Sequence, residues 1–91
     1  MLITEIALDN IRHHIRVNAL CPFFVQTAML DRALARIPPL GKMIEAASPL
    51  NRAALPEEVA NVAVFLCSPS ASFMNGMGLL IDAGTFLSAH I

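Results

Sequence analysis

The stretch at residues 15–29 carries the groups of this sequence that are best placed to bind a small polar ligand. A dense apolar run at 15–21 ends at Pro22, two phenylalanines follow, and Thr27 comes next as a polar anchor. A threonine hydroxyl can both donate and accept a hydrogen bond, so it suits a small polar group. The same hydroxyl can cap a helix that begins at residue 28. The pattern leaves both roles open.

The other polar residues are better explained by structure than by chemistry. Asn18 stands within the apolar run, and we expect its amide to tie neighbouring loops. Arg52 lies close in sequence to Glu57 and Glu58, a combination that predicts a surface ion pair supporting the start of a helix. Cys21 has no histidine or basic residue placed to activate it as a nucleophile. We therefore predict no catalytic residue among them.

No metal site is predicted either, because the three histidines lack the spacing of metal ligands. They are His13, His14 and His90. The two cysteines, Cys21 and Cys67, are far apart and lack the short spacing of a metal-binding or redox pair. We expect both to be buried free thiols that behave as small apolar residues.

The composition is unusually apolar for a chain of 91 residues. Apolar residues other than glycine make up 56% of it, whereas a soluble domain has about 45–50% with glycine included. Charged residues are 14%, against about 25% in such a domain. So much apolar side chain on so small a domain indicates that another protein surface covers part of it.

Charge and segment length argue against a membrane or a nucleic acid as the covering partner. No apolar run approaches the roughly 18–20 residues that a membrane-spanning helix requires. The first residues contain Glu5 and Asp9 and lack the basic start of a signal peptide. The net charge is −1 and the six basic residues are scattered, which gives no basic patch for nucleic acid. We expect a cytoplasmic protein.

Two apolar runs separated by helical patterns predict an α/β fold. The first dozen residues have the spacing of an amphipathic helix, ended near His14, which tolerates a left-handed turn. The run at 15–21 predicts a strand covered on both faces, as in parallel sheets. Segments 27–36 and 41–47 predict two short helices.

The rest of the chain predicts a long helix and a second strand. Pro56 suits the first position of a helix that reaches residue 67, with acidic residues in its first turn. A helical turn and an Asn-Gly turn follow, then a strand at 79–82 that Asp82 caps, and a tail. Two strands with so long a crossover between them are expected to pair in parallel.

Two segments together resemble the C-terminal part of the short-chain dehydrogenase/reductase family. They are IRVNALCP, at 15–22, and PLNRAALPEEVANVAVFLCSPSASFMNGMGLLIDAG, at 49–84. The family comprises single-domain Rossmann-fold oxidoreductases that use NAD or NADP. The resemblance implies that residues 1–91 are one partial domain, the C-terminal portion of a doubly wound parallel sheet, with two parallel strands and their helices.

The resemblance also implies a binding role for three residues that follow the first strand. In the family, the Val25 backbone and the Thr27 hydroxyl would hydrogen-bond the nicotinamide carboxamide, and Pro22 would pack beside the ring. The substrate would be a small alcohol or ketone. Where the family has Pro-Gly this chain has Pro22-Phe23, and a phenyl ring there is expected to crowd the nicotinamide.

The catalytic half of the family pattern has no counterpart in this sequence. The glycine-rich phosphate turn and the Tyr-x-x-x-Lys pair are missing, and the chain contains no tyrosine. We therefore expect no activity from the chain by itself. Three hypotheses remain: a piece of an NAD(P)-dependent oxidoreductase, a non-enzymatic truncated protein that associates with complete relatives or with itself, and an unrelated small α/β protein.

Overall fold

The computed structural model of the chain describes residues 2–88 and shows an α/β unit of five α-helices and two strands. The helices are α1 (Leu2–Asn10), α2 (Ala28–Arg36), α3 (Leu40–Ala47), α4 (Pro56–Leu66) and α5 (Thr85–Ser88), and the strands are β1 (Ala19–Pro22) and β2 (Gly78–Ile81). Short 3-10 turns lie at Ile11–His13 and Pro69–Ala71. The α/β prediction is confirmed.

The two strands pair in parallel, as the sequence predicts. Ala19 lies opposite Gly78 and Pro22 lies opposite Ile81. The Phe23 N–H continues the ladder beyond Pro22 by donating to the Ile81 carbonyl at 3.0 Å. The carboxyl ends of both strands therefore meet at one edge of the sheet.

The predicted bounds of the first strand are wrong at its start. Pairing begins at Ala19 rather than at residue 15. The Val17 N–H donates to the Asn75 side-chain oxygen at 2.9 Å, and the Val17 carbonyl accepts from Gly76 N at 2.7 Å. At Val17 the Asn75 side chain takes the place of a neighbouring strand's backbone. The ladder of backbone hydrogen bonds therefore starts two residues later, at Ala19.

The helix predictions are confirmed, with small shifts of their ends. α1 runs into the 3-10 turn at Ile11–His13, and His14 follows in the left-handed region at φ 60°. α4 starts at Pro56. Leu66 is buried on the core side of α4, whereas Val64 on the other side is 70% exposed. The predicted tail also contains the helical turn α5, and His90 lies outside the described residues.

Asp82 caps the turn that follows β2 rather than the strand itself. Its carboxylate accepts hydrogen bonds from the backbone N–H of Gly84 at 3.0 Å and of Phe86 at 2.9 Å. Gly84 immediately precedes α5 and Phe86 lies in its first turn, where side chains commonly supply acceptors for the backbone N–H groups. The side chain therefore fixes the direction in which the chain leaves the sheet.

The buried core is small, and the first strand is more open than predicted. The buried apolar residues of the described chain are Ala7, Leu30, Ile44, Leu66 and Ala71. The expectation that the first strand is covered on both faces is wrong, since its last two residues are exposed. The two cysteines are free, as predicted, but both are exposed rather than buried. The described helices do not cover the sheet fully, which explains the exposure of β1 and of Cys21, whereas Cys67 lies at the end of α4.

Among the described residues, none of the helices has the length and apolar character needed to cross a membrane.

Candidate cofactor-binding site

The loop at 23–27 leaves the carboxyl end of β1 and is held in place by a single parallel bridge. Val25 lies opposite Ala54, just before α4. Ala54 N donates to the Phe24 carbonyl at 2.8 Å, and Gln26 N donates to the Ala54 carbonyl at 2.8 Å. Ligands bind to open α/β sheets beyond the carboxyl ends of the strands. The bridge therefore fixes the loop where a ligand is expected.

This bridge leaves the backbone of Val25 itself available. Ala54 bonds to the residues on either side of Val25, so the Val25 N–H and C=O point away from Ala54. Neither group has a protein hydrogen-bond partner among the described residues. Val25 thus presents one donor and one acceptor side by side, the set that a primary carboxamide requires.

Thr27 caps α2, which confirms one of the two roles predicted for it. Its side-chain oxygen accepts a hydrogen bond from Leu30 N at 3.3 Å, and its carbonyl accepts from Asp31 N at 3.0 Å. The hydroxyl hydrogen takes no part in these bonds, so the side chain can still donate to a ligand. Gln26 adds support by donating from its amide to the Asp31 carboxylate at 2.6 Å.

Pro22 is the exposed last residue of β1. Its ring offers a rigid apolar surface at the edge where the two strands end. The structure thus places all three predicted site residues, Pro22, Val25 and Thr27, on one short segment beside that edge.

The phenylalanine that replaces the family's glycine is accommodated without backbone strain. The described non-glycine residues with positive φ are His14, Asn51 and Ala83, so Phe23 keeps an ordinary backbone. Its ring meets that of Phe24 edge to face, with centroids 5.0 Å apart and an interplanar angle of 88°. This geometry is the favourable one for an aromatic pair. The two rings form one aromatic wall.

An ion pair forms as predicted for Arg52, and it lines a pocket together with Phe23 of this loop. The Arg52 guanidinium donates to both oxygens of Glu58, at 2.7 and 3.1 Å. Leu55 N donates to the same carboxylate at 2.8 Å and so completes a cap on α4. The hydrogen bonds from Arg52 and then from Leu55 lower the pKa of Glu58 to about 2, and Glu58 raises the pKa of Arg52. The pair is structural.

Asn18 is structural too, as predicted. Its amide nitrogen donates to the Met74 carbonyl and its amide oxygen accepts from Met77 N, both at 3.1 Å. The side chain joins the segment before β1 to the segment before β2. It does not face the loop at 23–27.

The sequence analysis missed a groove on the far side of the aromatic wall. Its lining residues are Phe23, Phe24, Val25, Thr27, Met29, Leu30 and Ala33, and its volume is about 590 Å³. The sequence signal was available, since Met29 and Ala33 are four residues apart and share one face of α2. What the pattern could not show is that this face lies beside the loop.

In open parallel α/β sheets, ligands bind beyond the carboxyl ends of the strands, which is where the loop at 23–27 lies. The family described as Enoyl-(Acyl carrier protein) reductase matches residues 1–85. The chain is 52% identical over 85 residues to the short-chain dehydrogenase srdC of Neurospora crassa, covering 93% of this chain and 31% of that protein. The chain belongs to the short-chain dehydrogenase/reductase family, of which it represents the C-terminal part.

Solved structures support the same assignment. The TT0495 protein from Thermus thermophilus is 37% identical with a TM-score of 0.84, over 94% of this chain and 36% of that one. A 4-hydroxyisoleucine dehydrogenase complexed with NADH is 27% identical with a TM-score of 0.83, over 94% of this chain and 35% of that one. The chain spans about a third of the length of the curated relatives and solved structures that it matches.

Proposed function

We propose that the chain provides the nicotinamide side of an NAD(P)-dependent oxidoreductase that acts on an alcohol or a ketone. The observation that carries the proposal is that the Val25 N–H and C=O have no hydrogen-bond partner among residues 2–88, and that the Thr27 hydroxyl hydrogen, two residues away, takes no part in the helix cap. A carboxamide has two N–H donors and one carbonyl acceptor. The Val25 carbonyl accepts from it, while Val25 N and the Thr27 hydroxyl donate to it.

Pro22 contributes contact rather than hydrogen bonding. Its ring is exposed at the end of β1 and packs beside a flat aromatic ligand ring. The neighbouring groove has a mostly apolar lining. A nicotinamide held at the loop would supply the hydride acceptor for an alcohol carbon, or the hydride donor for a ketone carbon, and a separate group would be needed to move the hydroxyl proton.

That proton-transfer group is not on this chain. The sequence has no tyrosine, and Arg52, Glu58 and Asn18 are engaged in structural hydrogen bonds. The chain by itself is therefore inactive, since hydride transfer requires a positioned acid or base for the oxygen proton. NAD and NADP are equally compatible with the loop, because the nicotinamide carboxamide is common to both.

A hybrid protein tests this function. In it, the chain replaces the matching 85-residue segment of the Neurospora crassa relative. We expect the hybrid protein to bind NADH or NADPH in a fluorescence titration, and the chain by itself to turn over no alcohol or ketone. A hybrid protein that folds but binds neither nucleotide contradicts the role of the loop. Turnover by the purified chain contradicts its inactivity.

A second candidate function is association with complete relatives, or with copies of itself, without catalysis. Large apolar side chains lie exposed on several elements: Leu8 (69%), Val64 (70%), Phe73 (102%) and Leu87 (68%). Such surface favours a protein partner. Co-sedimentation of the chain with the full-length relative tests this function, because association requires that a complex forms. The nucleotide binding of the relative should not change when the chain is added. In either case the protein is proposed to act in the cytoplasm.

A further inference from the structure

One side of α2 carries two arginines and three apolar residues in a single stripe. Their spacing of three and four residues places them on one face of a helix. The opposite side of α2 faces the interior of the chain, where Leu30 is buried and Leu34 lies against Gly41 of α3. The residues of this basic stripe, which line a groove of about 310 Å³, are Met29, Arg32, Ala33, Arg36 and Ile37.

The two arginines of the stripe have no ionic partner within residues 2–88. The ion pair found there joins Arg52 to Glu58, and Asp31, the acidic residue of α2, accepts a hydrogen bond from a neighbouring glutamine. The negative end of the helix dipole accounts for Arg36, which lies in the last turn. It does not account for Arg32, one turn earlier. Both guanidinium groups are therefore available to an anionic partner.

Apolar side chains flank the two arginines at both ends of the stripe. Met29 is 72% exposed and Ile37 is 52% exposed, whereas Ala33 is partly buried between the arginines. Because Ala33 is small, the stripe leaves room there for a side chain of a partner. From residue 29 to residue 37 the stripe extends about 12 Å along the helix axis, just over two helical turns. A partner must therefore offer negative charge and apolar surface over that length.

An acidic amphipathic helix meets both requirements. On such a helix, two carboxylates four residues apart are separated by about 6 Å, the same spacing as that of Arg32 and Arg36. A guanidinium can bind a carboxylate through two parallel hydrogen bonds. Apolar residues beside those carboxylates would cover Met29 and Ile37, in the way that an amphipathic helix lies in a groove.

Two other occupants fit the basic stripe less well. A lipid surface is flat, whereas the stripe lines a groove, and electrostatic attachment to an anionic membrane takes a cluster of about four to eight basic residues. A second copy of the chain would offer Glu5 and Asp9 of α1, which are also four residues apart. That contact would join two different faces and so continue from copy to copy.

We propose that the basic stripe is a docking surface for an acidic amphipathic helix of another protein. This docking is separate from the proposed oxidoreductase function, because the stripe contains none of Pro22, Val25 and Thr27. The two arginines set the charge and the register of the partner, and the flanking apolar residues supply contact area. Because the charges are exposed, added salt should weaken the complex.

Fluorescence anisotropy of labelled peptides tests the proposal on the purified chain. The probe is a helical peptide of alanine and leucine in which two glutamates lie four residues apart beside the leucines. The control peptide has lysines in place of the glutamates. We expect saturable binding of the glutamate peptide, and binding of the lysine peptide weaker by about tenfold or more. Equal binding of the two peptides would overturn the proposal, as would the absence of saturable binding of the glutamate peptide.

Exchange of charge locates the binding on α2. Arg32→Glu combined with Arg36→Glu should weaken binding of the glutamate peptide by about tenfold or more and make the lysine peptide the tighter ligand. Arg12→Glu, on the exposed 3-10 turn, is the matched control and should change neither dissociation constant. A charge-exchanged chain with the circular dichroism of wild type that still prefers the glutamate peptide would overturn the proposal.

A second variant keeps the proposal testable if the charge-exchanged chain does not fold. Arg32→Gln combined with Arg36→Gln removes both charges and keeps good helix formers. It should also weaken binding of the glutamate peptide by about tenfold, without favouring the lysine peptide. An unchanged dissociation constant in this glutamine variant would overturn the proposal.

Flotation with phosphatidylserine vesicles and sedimentation velocity decide between the occupants. Peptide binding, no flotation, and the same sedimentation pattern for wild type and the glutamine variant support the proposal. Flotation without peptide binding overturns it in favour of a lipid surface. Smaller assemblies in the glutamine variant, without peptide binding, overturn it in favour of a second copy.

Discussion

The Thr27 side-chain oxygen accepts a hydrogen bond from Leu30 N at 3.3 Å, which leaves the hydroxyl hydrogen as the group that can donate to a ligand. The cap and the ligand contact therefore use different parts of one side chain. Substitutions that keep one function and remove the other can separate them.

Thr27→Asp should preserve the helix and weaken the cofactor's binding. An ionised carboxylate caps a helix well but cannot donate. In the hybrid protein we expect unchanged thermal stability and roughly fivefold to tenfold weaker NAD(P)H binding, the effect of one lost hydrogen bond. Thr27→Ser should retain both properties.

Thr27→Val should lose both the helix cap and the hydrogen bond to the cofactor. Loss of the cap should lower the free energy of unfolding by about 1 kcal/mol. Thr4→Val on α1 is the matched control, and it should change neither. Fluorescence titration and thermal melting provide the two readouts. If Thr27→Asp binds the nucleotide as tightly as wild type, Thr27 acts as a cap only.

The pH dependence of the Arg52–Glu58 pair follows from the lowered pKa of Glu58. That pKa is about 2 in the folded chain against an ordinary 4.5. The pair therefore stabilises the fold above about pH 4.5, and its contribution is lost as the pH falls towards 2. Both side chains are about half exposed, at 45% and 43%, so added salt should weaken the effect.

A carboxyl-carbon NMR titration of the hybrid protein checks this prediction. Arg52→Ala should raise the Glu58 midpoint towards 4.5, because the largest cause of the shift is the hydrogen bond from Arg52. Arg12→Ala, far from the pair in sequence and on the 3-10 turn, should leave the midpoint unchanged. An unshifted midpoint in Arg52→Ala would show that the pair does not form in solution.

Asn18→Ala should destabilise the fold. The Asn18 amide bonds to Met74 and Met77 at 3.1 Å, and its loss leaves partly buried backbone groups unpaired, at a cost of about 1–3 kcal/mol. Urea unfolding of the hybrid protein measures the change. Asn61→Ala on the exposed side of α4 is the control and should have little effect. Equal midpoints for the two variants would contradict the linking role of Asn18.

Ala83→Gly should stabilise the fold. Ala83 has a φ of 54°, in the left-handed region where an L-residue other than glycine is strained by about 1–2 kcal/mol. Glycine removes that strain, but it also gives the unfolded chain more conformational freedom, which offsets part of the effect. The free energy of unfolding should therefore rise by about 0.5–1 kcal/mol. Ala60→Gly, within α4, should instead lose about 1 kcal/mol. Thermal melting of the hybrid protein gives both values.

The sequence was sufficient for elements that depend on local patterns. Pro56 with two acidic residues after it marks a helix start by local chemistry, and His14 marks a turn by its tolerance of positive φ. The parallel pairing followed from two apolar runs and a long crossover. The helix start and the turn depend on residues close together in the chain, whereas the parallel pairing was inferred from the length of the crossover between the two runs.

The errors and omissions came from contacts between distant segments. The first strand starts late because Asn75, 58 residues further on, bonds to Val17. Cys21 is exposed because the described helices do not cover its strand. The loop at 23–27 is held in place because Val25 pairs with Ala54, 29 residues further on. No local pattern encodes these relationships.

The last prediction concerns assembly of the chain by itself. Within the described residues β1 pairs with β2 only, so one edge of β1 is open. Open edges template pairing with other chains, and a two-stranded sheet is marginal without further cover. Phe73 is fully exposed, at 102%. The purified chain should therefore form oligomers or aggregates in sedimentation velocity, whereas the hybrid protein, which supplies the rest of the domain, should not.

Amide exchange locates the cause of that behaviour. If the open edge drives assembly, backbone amides at 19–22 should exchange quickly in dilute chain and become protected when the chain assembles or when a complete relative is added. Phe73→Lys distinguishes the effect of the open edge from that of the exposed apolar surface. The variant should aggregate less, but its β1 amides should exchange as quickly as before. A monodisperse monomer with strongly protected amides at 19–22 would contradict the prediction. It would mean that two strands and the small core around Leu30, Ile44 and Leu66 are enough for an independent fold.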